Sequence, residues 1–212
     1  MDFNPALWRG NLDRDLPPAS KIQQVQHQES MPLEELQEKI GCFYPATTRT
    51  KQAILFTILT ASRVGESVPA RWDEIDWENR IWSVPPERRK DQKPYPHRVP
   101  LSDQAIELLK SIEKKGDHIF GVSEESLGSR YTLTKLLKRL TGTTATMHGF
   151  RSTFRDWAAE NGVPDIVAEK CLMHTTGNAV VQAYQRSDLL EQRREVMQQW
   201  ADAVFSEVSS AA

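Results

Sequence analysis

A chain of 212 residues with 39% hydrophobic residues and six tryptophans is long and apolar enough to bury the core of one large domain, which argues against disorder throughout. A net charge of −2 does not by itself point to nucleic acid. The longest apolar run, "AILFTILTA", has nine residues, far fewer than the roughly 18 to 20 of a membrane-spanning helix, so we expect no membrane partner.

The N-terminus lacks the basic start and apolar stretch of a signal peptide. Two cysteines, Cys42 and Cys171, are too few for a disulfide framework. Cys171 and His174 have the spacing of half a metal site, but no second cysteine–histidine pair completes it. Phosphate-loop, H-E-x-x-H and G-x-S-x-G motifs are also absent from the sequence. We therefore predict no metal ion and no cofactor.

In chain order, the polar, proline-containing residues 1–30 resemble an interdomain linker, and residues 31–212 are predicted to form the folded domain. The stretch "SMPLEELQEKIGCF" predicts a helix that Ser30 caps and Gly41 ends. The next stretch, "TTRTKQAILFTILTASRVGESVPA", predicts a largely buried helix, a break near Ser62 and a second short helix.

A small sheet is expected next. The acidic "DEIDWENR" is typical of a turn, whereas "RIWSVP" and "YPHRVPLS" predict two antiparallel strands around the basic loop "ERRKDQKP". A helix capped by Ser102 and ended by Gly116 follows, and "HIF" is a brief strand at most.

Helices are predicted for the rest of the chain, with Pro164 in the first turn of one and Asn161–Gly162 at the end of the helix before it. One of them covers "GNAVVQAYQ". The last, "SDLLEQRREVMQQWADAVFSEV", carries an apolar stripe that can pack on its own domain or dock on a neighbouring protomer. The predicted fold is mainly α (α+β), with a small antiparallel sheet inserted near its N-terminal part.

Two stretches are rich in cations despite the neutral average: residues 130–155 carry no acidic side chain, and residues 85–98 are basic on balance. Clustered cations predict one basic face that binds DNA, although solvated surface charge is the plain alternative. The candidate DNA contacts are Arg88, Arg89, Lys93, Arg130, Lys135, Lys138, Arg139 and Arg155.

Several cationic and imidazole groups stand at the edges of apolar elements. Arg63 follows the buried helix and can pair with Glu66 three residues later. His148 and Arg151 lie three apart at a helix start, where two positive groups on one face make sense if an anion lies between them.

The motifs "TASRVGE", "ERRK", "HGFR", "LMH" and "AYQRSD", in this order, resemble the catalytic domain of the tyrosine recombinases, specifically the phage-type integrases, over residues 31–205. The resemblance implies Tyr184 as nucleophile and Glu66 as a supporting group. It implies the remaining catalytic set as Arg63, Lys90, His148, Arg151 and His174. Lys93 is an alternative to Lys90 because hairpin loops vary in length, and Met173 stands where many members have glycine or alanine.

The resemblance implies DNA strand cleavage and rejoining through a 3′-phosphotyrosyl intermediate, without metal or ATP, for integration and excision of mobile DNA. It implies double-stranded attachment-site DNA as partner, a tetrameric synapse and a cytoplasmic, nucleoid-associated bacterial protein. DNA relaxation of the type IB topoisomerase kind and a non-catalytic DNA-binding remnant remain alternatives. Because integrases of this kind usually carry further N-terminal domains, we expect a fragment that binds DNA weakly and with strong salt dependence.

Overall fold

The structure is a computed structural model. It describes residues 29–91, 93–121, 130–174 and 187–207, with isolated positions 6, 12 and 16, and at residues 130 and 131 it describes the backbone alone. In these ranges the helices are α1 (Leu33–Lys39), α2 (Arg49–Leu59), α3 (Val64–Ser67), α4 (Asp103–Lys110), α5 (Arg130–Thr141), α6 (Gly149–Glu160), α7 (Asp165–Cys171) and α8 (Leu190–Val204). The strands are β1 (Ile75–Asp76), β2 (Ile81–Val84) and β3 (His97–Pro100).

The three strands form one antiparallel sheet in the order β1-β2-β3. Ile81 pairs with Pro100 and Val84 with His97, which confirms the two predicted strands and the basic loop between them. Strand β1 lies inside the acidic stretch that we expected to be a turn, and it pairs with β2 over two residues. A strand of two residues is too short to show an alternating pattern of apolar and polar residues. Its formation depends on pairing with β2.

Helix α2 is the centre of the core. The Thr48 side chain caps it by accepting a hydrogen bond from the backbone of Lys51 (3.3 Å), and residues 52–59 are all buried. The Thr57 hydroxyl donates to the Ala53 carbonyl (2.7 Å), so this polar group is satisfied inside the apolar layer. A helix buried on all sides must end abruptly to leave the core, and the predicted break is present at residues 60–63.

The start and end of α1 differ from the prediction. The N-cap is Pro32, without a side-chain hydrogen bond, so Ser30 does not cap the helix. The α-helical part ends at Lys39, and Gly41 lies within a 3-10 turn, Ile40–Cys42, that continues it. Helix ends of this kind often tighten into 3-10 geometry, which a sequence pattern does not distinguish.

Other helix boundaries were predicted more closely. Ser102 caps α4 by accepting from the Ala105 backbone N–H (3.3 Å), as expected, but α4 ends at Lys110, well before Gly116. Gly162, with φ +70°, follows α6 as predicted. The "HIF" stretch forms a single bridge between His118 and Arg71.

Helix α8 packs on its own domain. Val196, Met197 and Val204 are buried, and the fully buried Trp200 donates its indole N–H to the Ile58 carbonyl of α2 (2.9 Å). For residues 190–204, the apolar stripe therefore belongs to the core of the same chain.

The backbone just before α1 crosses the start of α6. The Glu29 carbonyl accepts from the Thr146 backbone (3.0 Å), and the Met31 carbonyl accepts from the Thr153 hydroxyl (2.6 Å). A Cβ atom at Gly149 would lie 2.2 Å from the Glu29 carbonyl oxygen, so only glycine permits this approach. A domain boundary at residue 30 stays a prediction.

Within the described ranges, no helix is long and apolar enough to cross a membrane. In the same part of the chain, no three His, Cys, Asp or Glu side chains are grouped so as to hold a metal ion.

Candidate active site

Arg63 is held by a carboxylate at the start of α3. Its backbone N–H donates to Glu66 Oε2 (2.9 Å) and its guanidinium donates to Glu66 Oε1 (3.0 Å). The Glu66 side chain is 4% exposed and that of Arg63 is 19% exposed. The pairing expected at this spacing is therefore formed, and it directs a partly exposed guanidinium toward solvent.

Arg151 is held differently, in the first turn of α6. It is 3% exposed, and it donates to the carbonyl oxygens of Ala61 (2.7 Å) and Leu172 (2.5 Å). One NH2 group lies 2.9 Å from His174 Nε2, and the Nε–H has no hydrogen-bond partner among the described residues. Burial, followed by the nearby Arg63 charge, lowers the pKa of Arg151 to about 10.

His174 lies between Arg151 and a carboxylate. Its Nδ1 is 2.7 Å from Glu169 Oε2, and Glu169 in turn accepts from Arg155 Nε (3.1 Å). Burial, and next the charge of Arg151, lower the pKa of His174, while Glu169 acts in the opposite direction.

The backbone of Met173, just before His174, has an unusual conformation. Its φ is +51°, in the left-handed region that a bulky residue rarely adopts. A glycine, one of the two residues expected here from the resemblance, would adopt this backbone without strain. The Met173 side chain is buried, so packing stabilises the conformation.

His148 and Lys90 complete the group. A cleft of about 910 Å³ is lined by Arg63, Glu66, Lys90 and His148, among others. Both His148 and Lys90 are exposed. Partial burial, and then the charges of Arg151, Arg63 and Lys90, lower the pKa of His148.

A second depression of about 430 Å³ extends the site, because it shares lining residues with the cleft. It is lined by Arg63, Lys90, Asp91, Glu169, Met173 and His174. The structure thus brings together five of the six predicted catalytic residues: four line the two depressions, and Arg151 lies behind His174. Tyr184 is outside the described residues.

Some of the predicted DNA contacts have partners inside the protein. Arg89 is 7% exposed and pairs with Asp91 (2.7 and 2.8 Å), and it also donates to the Tyr95 carbonyl (2.8 Å). Arg88 pairs with Glu74 and donates to the Pro69 carbonyl. The inward position of Arg89 does not suit the direct DNA contact expected of it.

Arg155 also has partners within the protein, since it pairs with Asp165 (2.9 Å) and Glu169. Lys93 is 35% exposed and lies 3.7 Å from Asp91. Three cations of α5 are exposed, namely Lys135, Lys138 and Arg139. Arg130 begins that helix.

Sequence reasoning missed Glu169, His97 and Arg193. Glu169 was one acid among many on a predicted helix. Arg193 is 1% exposed and donates to the Arg98 carbonyl (2.7 Å), which ties α8 to β3. Burial, and then Arg193, lower the pKa of His97 well below its ordinary value.

Several known structures that share this fold are integrases and recombinases. The integrase from mycobacterium phage Brujita superposes with a TM-score of 0.61 at 18% identity, over 86% of this chain and 63% of that one. A lambda integrase (75–356) dimer bound to a COC′ core site superposes with a TM-score of 0.54 at 16% identity, over 73% and 60% of the two chains. At these identities the likeness establishes the fold: helices around a small antiparallel sheet, as in tyrosine recombinases.

The chain belongs to the phage integrase family, whose model matches residues 28–191. Prophage integrase IntA of Escherichia coli K12 is 38% identical over 161 residues, which is 73% of this chain and 38% of IntA. The chain spans about half or less of the length of the curated relatives it matches.

Proposed function

We propose that residues 31–212 form the catalytic domain of a tyrosine site-specific recombinase. It would cleave and rejoin double-stranded DNA through a 3′-phosphotyrosyl intermediate, for the integration and excision of mobile DNA. The observation that carries this proposal is a cluster of cationic and imidazole groups whose charge is not balanced. Among the described lining residues, the carboxylates Glu66, Asp91 and Glu169 are each engaged by a neighbouring arginine.

An unbalanced cationic cleft fits a phosphodiester. Charge that builds on the non-bridging oxygens can be stabilised by Arg63, whose planar guanidinium matches phosphate geometry. Arg151 adds its charge from behind His174. Its Nε–H has no partner among the described residues and is costly to bury. Because this atom is shielded from solvent, a phosphate oxygen would satisfy it only if the surrounding side chains move when DNA binds.

Tyr184 is the proposed nucleophile. A tyrosine hydroxyl has a pKa near 10, so it is a weak nucleophile at neutral pH and needs both a polarised target and a proton acceptor. His148 is the proposed acceptor. Ser187, three residues after Tyr184 in sequence, lines a further cleft together with His174.

Lys90 is the proposed general acid that protonates the departing 5′ oxygen. It is exposed and lines the same cleft as Arg63 and His148, whereas Lys93 lies against Asp91. This geometry favours Lys90 over Lys93.

The reaction exchanges one phosphoester for another, so it needs no ATP, and the arginines neutralise the phosphate in place of a metal. The proposed partners are attachment-site DNA and three further copies in a synaptic tetramer. We propose Lys135, Lys138 and Arg139 as backbone contacts, with Lys93, Arg88 and Arg130 at the margin. The expected location is the bacterial nucleoid.

The test uses a pool of nicked duplexes of random sequence. Strands that become covalently attached to the protein are recovered from a denaturing gel and sequenced. We expect a protein–DNA band with the wild-type chain and none with Tyr184→Phe. An undiminished band with the variant, or no band with wild type, would overturn the proposal.

Relaxation of DNA in the manner of type IB topoisomerases is a second candidate, since it uses the same chemistry without a synapse. A supercoiled plasmid carrying two recovered sites distinguishes them: recombination exchanges the flanking segments, whereas relaxation alone changes only the linking number.

A further inference from the structure

His174 contacts two groups with opposite hydrogen-bonding character. Arg151 can only donate, and it lies 2.9 Å from Nε2. The Glu169 carboxylate can only accept when ionised, and it lies 2.7 Å from Nδ1. A neutral ring with its proton on Nδ1 satisfies both contacts. The other tautomer would oppose N–H to N–H on one side and two acceptors on the other.

Glu169 is itself held in place from both ends of α7. Its second carboxylate oxygen accepts from Arg155 Nε, and Arg155 also pairs with Asp165 in the first turn of that helix. The Glu169 backbone carbonyl accepts from the His174 backbone N–H (2.9 Å). The Glu169 side chain is 18% exposed. Its orientation is therefore set before any ligand arrives.

The charges that face His174 come from several elements. Arg151 of α6 and Arg63 before α3 both disfavour a second proton on the ring, and Lys90 of the hairpin loop lines the same depression. Glu169 favours that proton, and Asp91 lines the same depression but is paired with an arginine. His148 lies near enough for its own pKa to be affected by His174. The balance keeps the ring neutral in the free protein.

We propose, on the basis of the function proposed above, that Glu169 is a positioning residue that holds the proton of His174 on Nδ1 and stabilises the imidazolium when a phosphodiester binds. A phosphodiester beside Arg63 and Arg151 offsets their charge. His174 then takes one proton from solvent at Nε2, which ends its role as acceptor for Arg151. The contact with Arg151 is given up, and the Nε2–H donates to a phosphate oxygen instead. Arg155 and Asp165 act by orienting Glu169.

Nitrogen-15 NMR of the histidine rings tests the free-protein state without any need for activity. The spectrum of the full chain contains five histidines, and the His174 signals are those that vanish in His174→Asn. We expect a protonated Nδ1 and an unprotonated Nε2 at neutral pH in wild type. In Glu169→Leu we expect a detectable share of the Nε2-protonated tautomer, because Arg151 alone then favours the Nδ1 form. A ring protonated on Nε2 in wild type, or an unchanged tautomer in the variant, would refute the proposal.

Cleavage kinetics on a nicked duplex test the bound state. We expect Glu169→Leu to slow formation of the covalent complex by about 10- to 100-fold, the range found when carboxylates that orient metal-binding histidines are removed. Glu169→Gln keeps an acceptor but lacks the charge, so it should be less impaired and should move the alkaline limb of the pH–rate profile to lower pH. If the alkaline limb stays at the same pH in Glu169→Gln, Glu169 does not stabilise the His174 imidazolium. Glu160→Gln, which removes the same charge from an exposed position at the end of α6, is the matched control.

The two arms fail separately. If wild type forms no covalent complex but the tautomer depends on Glu169, the proposed function fails and the hydrogen-bond geometry remains. If wild type cleaves DNA and Glu169→Leu does so at the same rate and with the same pH profile, the positioning role fails and the recombinase function remains.

Discussion

Arg63 lines the cleft and Arg151 lies behind it, and their guanidinium groups are held by different partners. Arg63 pairs with the carboxylate of Glu66. Arg151 donates to two backbone carbonyls and to His174, and no carboxylate lies within ion-pair distance of it among the described residues. Arg63 therefore has a direct carboxylate partner, whereas Arg151 is buried without one, and Glu66 and Glu169 offset only part of the cost of its charge from a greater distance.

A buried charge without a counter-ion costs stability. The lowered pKa of Arg151 reflects this cost. A protein can keep such a group where an anion from outside supplies the missing charge, so we expect Arg151 to depend on a bound anion more than Arg63 does.

The largest expected effects come from replacing each arginine by lysine. We expect Arg151→Lys to slow covalent complex formation by about 10³-fold, because one ammonium cannot reproduce donors to two carbonyls, His174 and a phosphate, and a single such donor is worth about 10²–10³. Arg63→Lys should lose about 10²-fold. Rates on a nicked duplex measure both, with circular dichroism to verify folding. Equal losses of rate in the two variants would contradict the prediction that Arg151 contributes more to cleavage than Arg63.

Lys90, unlike the two arginines, is exposed on the loop between β2 and β3. We expect Lys90→Ala to slow cleavage by about 10²-fold, within the range for general acids, and Lys93→Ala to have a much smaller effect. A 5′-bridging sulfur in the DNA makes a leaving group that needs no acid. It should restore Lys90→Ala to near the wild-type rate but leave Arg151→Lys impaired. Rescue of Lys93→Ala instead would assign the acid to Lys93.

Gly149 lies two residues before Arg151 in α6 and is remote in sequence from Arg63. A change at Gly149 therefore tests the packing around Arg151 alone. A Cβ at this position would overlap the Glu29 carbonyl. We expect Gly149→Ala to lower the free energy of unfolding by about 1–3 kcal/mol, as overpacking typically does. Urea denaturation measures the loss, and Gly41→Ala, where a Cβ meets no atom, is the matched control. Equal stability of both variants would show that the segment before α1 does not hold α6.

The smallest expected effect is on the histidines. Arg151 lowers the pKa of His148 and His174 more than Arg63 does, so Arg151→Met should raise both pKa values more than Arg63→Met. Titration by NMR measures the shifts. If Arg63→Met shifted the two histidine pKa values as much as Arg151→Met or more, Arg151 would not be the stronger influence on them.

The lowered pKa values have a consequence for stability. His97, His148 and His174 take up protons more readily when unfolded, so the unfolded chain binds more protons below its ordinary histidine pKa of about 6.5. The free energy of unfolding should therefore fall as the pH drops through 6.5, by up to about 1.4 kcal/mol per pH unit for the more buried His97 and by less for the exposed His148 and His174, where solvent screens the interactions. A stability that is constant between pH 7 and pH 5 would contradict these directions.

Much of the fold could be predicted because its signals are local. The Ser102 cap, the Asn161–Gly162 helix end and the strand pair β2–β3 each depend on residues close in sequence. The end of α4 and the strand β1 could not, since they depend on packing partners elsewhere in the chain. The inward position of Arg89 is of the same kind: its sequence neighbours suggested a basic loop, but Asp91 and Tyr95 fold back onto it.

The sequence by itself determined the family, the helical class with its small sheet, and the residue types able to stabilise a phosphate, because motifs and apolar spacing are carried by the chain. Tertiary structure alone decided which charges remain unpaired. Glu66 neutralises Arg63 from three residues away, a pairing that spacing predicts. The carbonyls that hold Arg151 are 90 and 21 residues distant in sequence, and the carboxylate beside His174 is itself oriented by Arg155 on another helix. Contacts over such separations arise only when the helices pack.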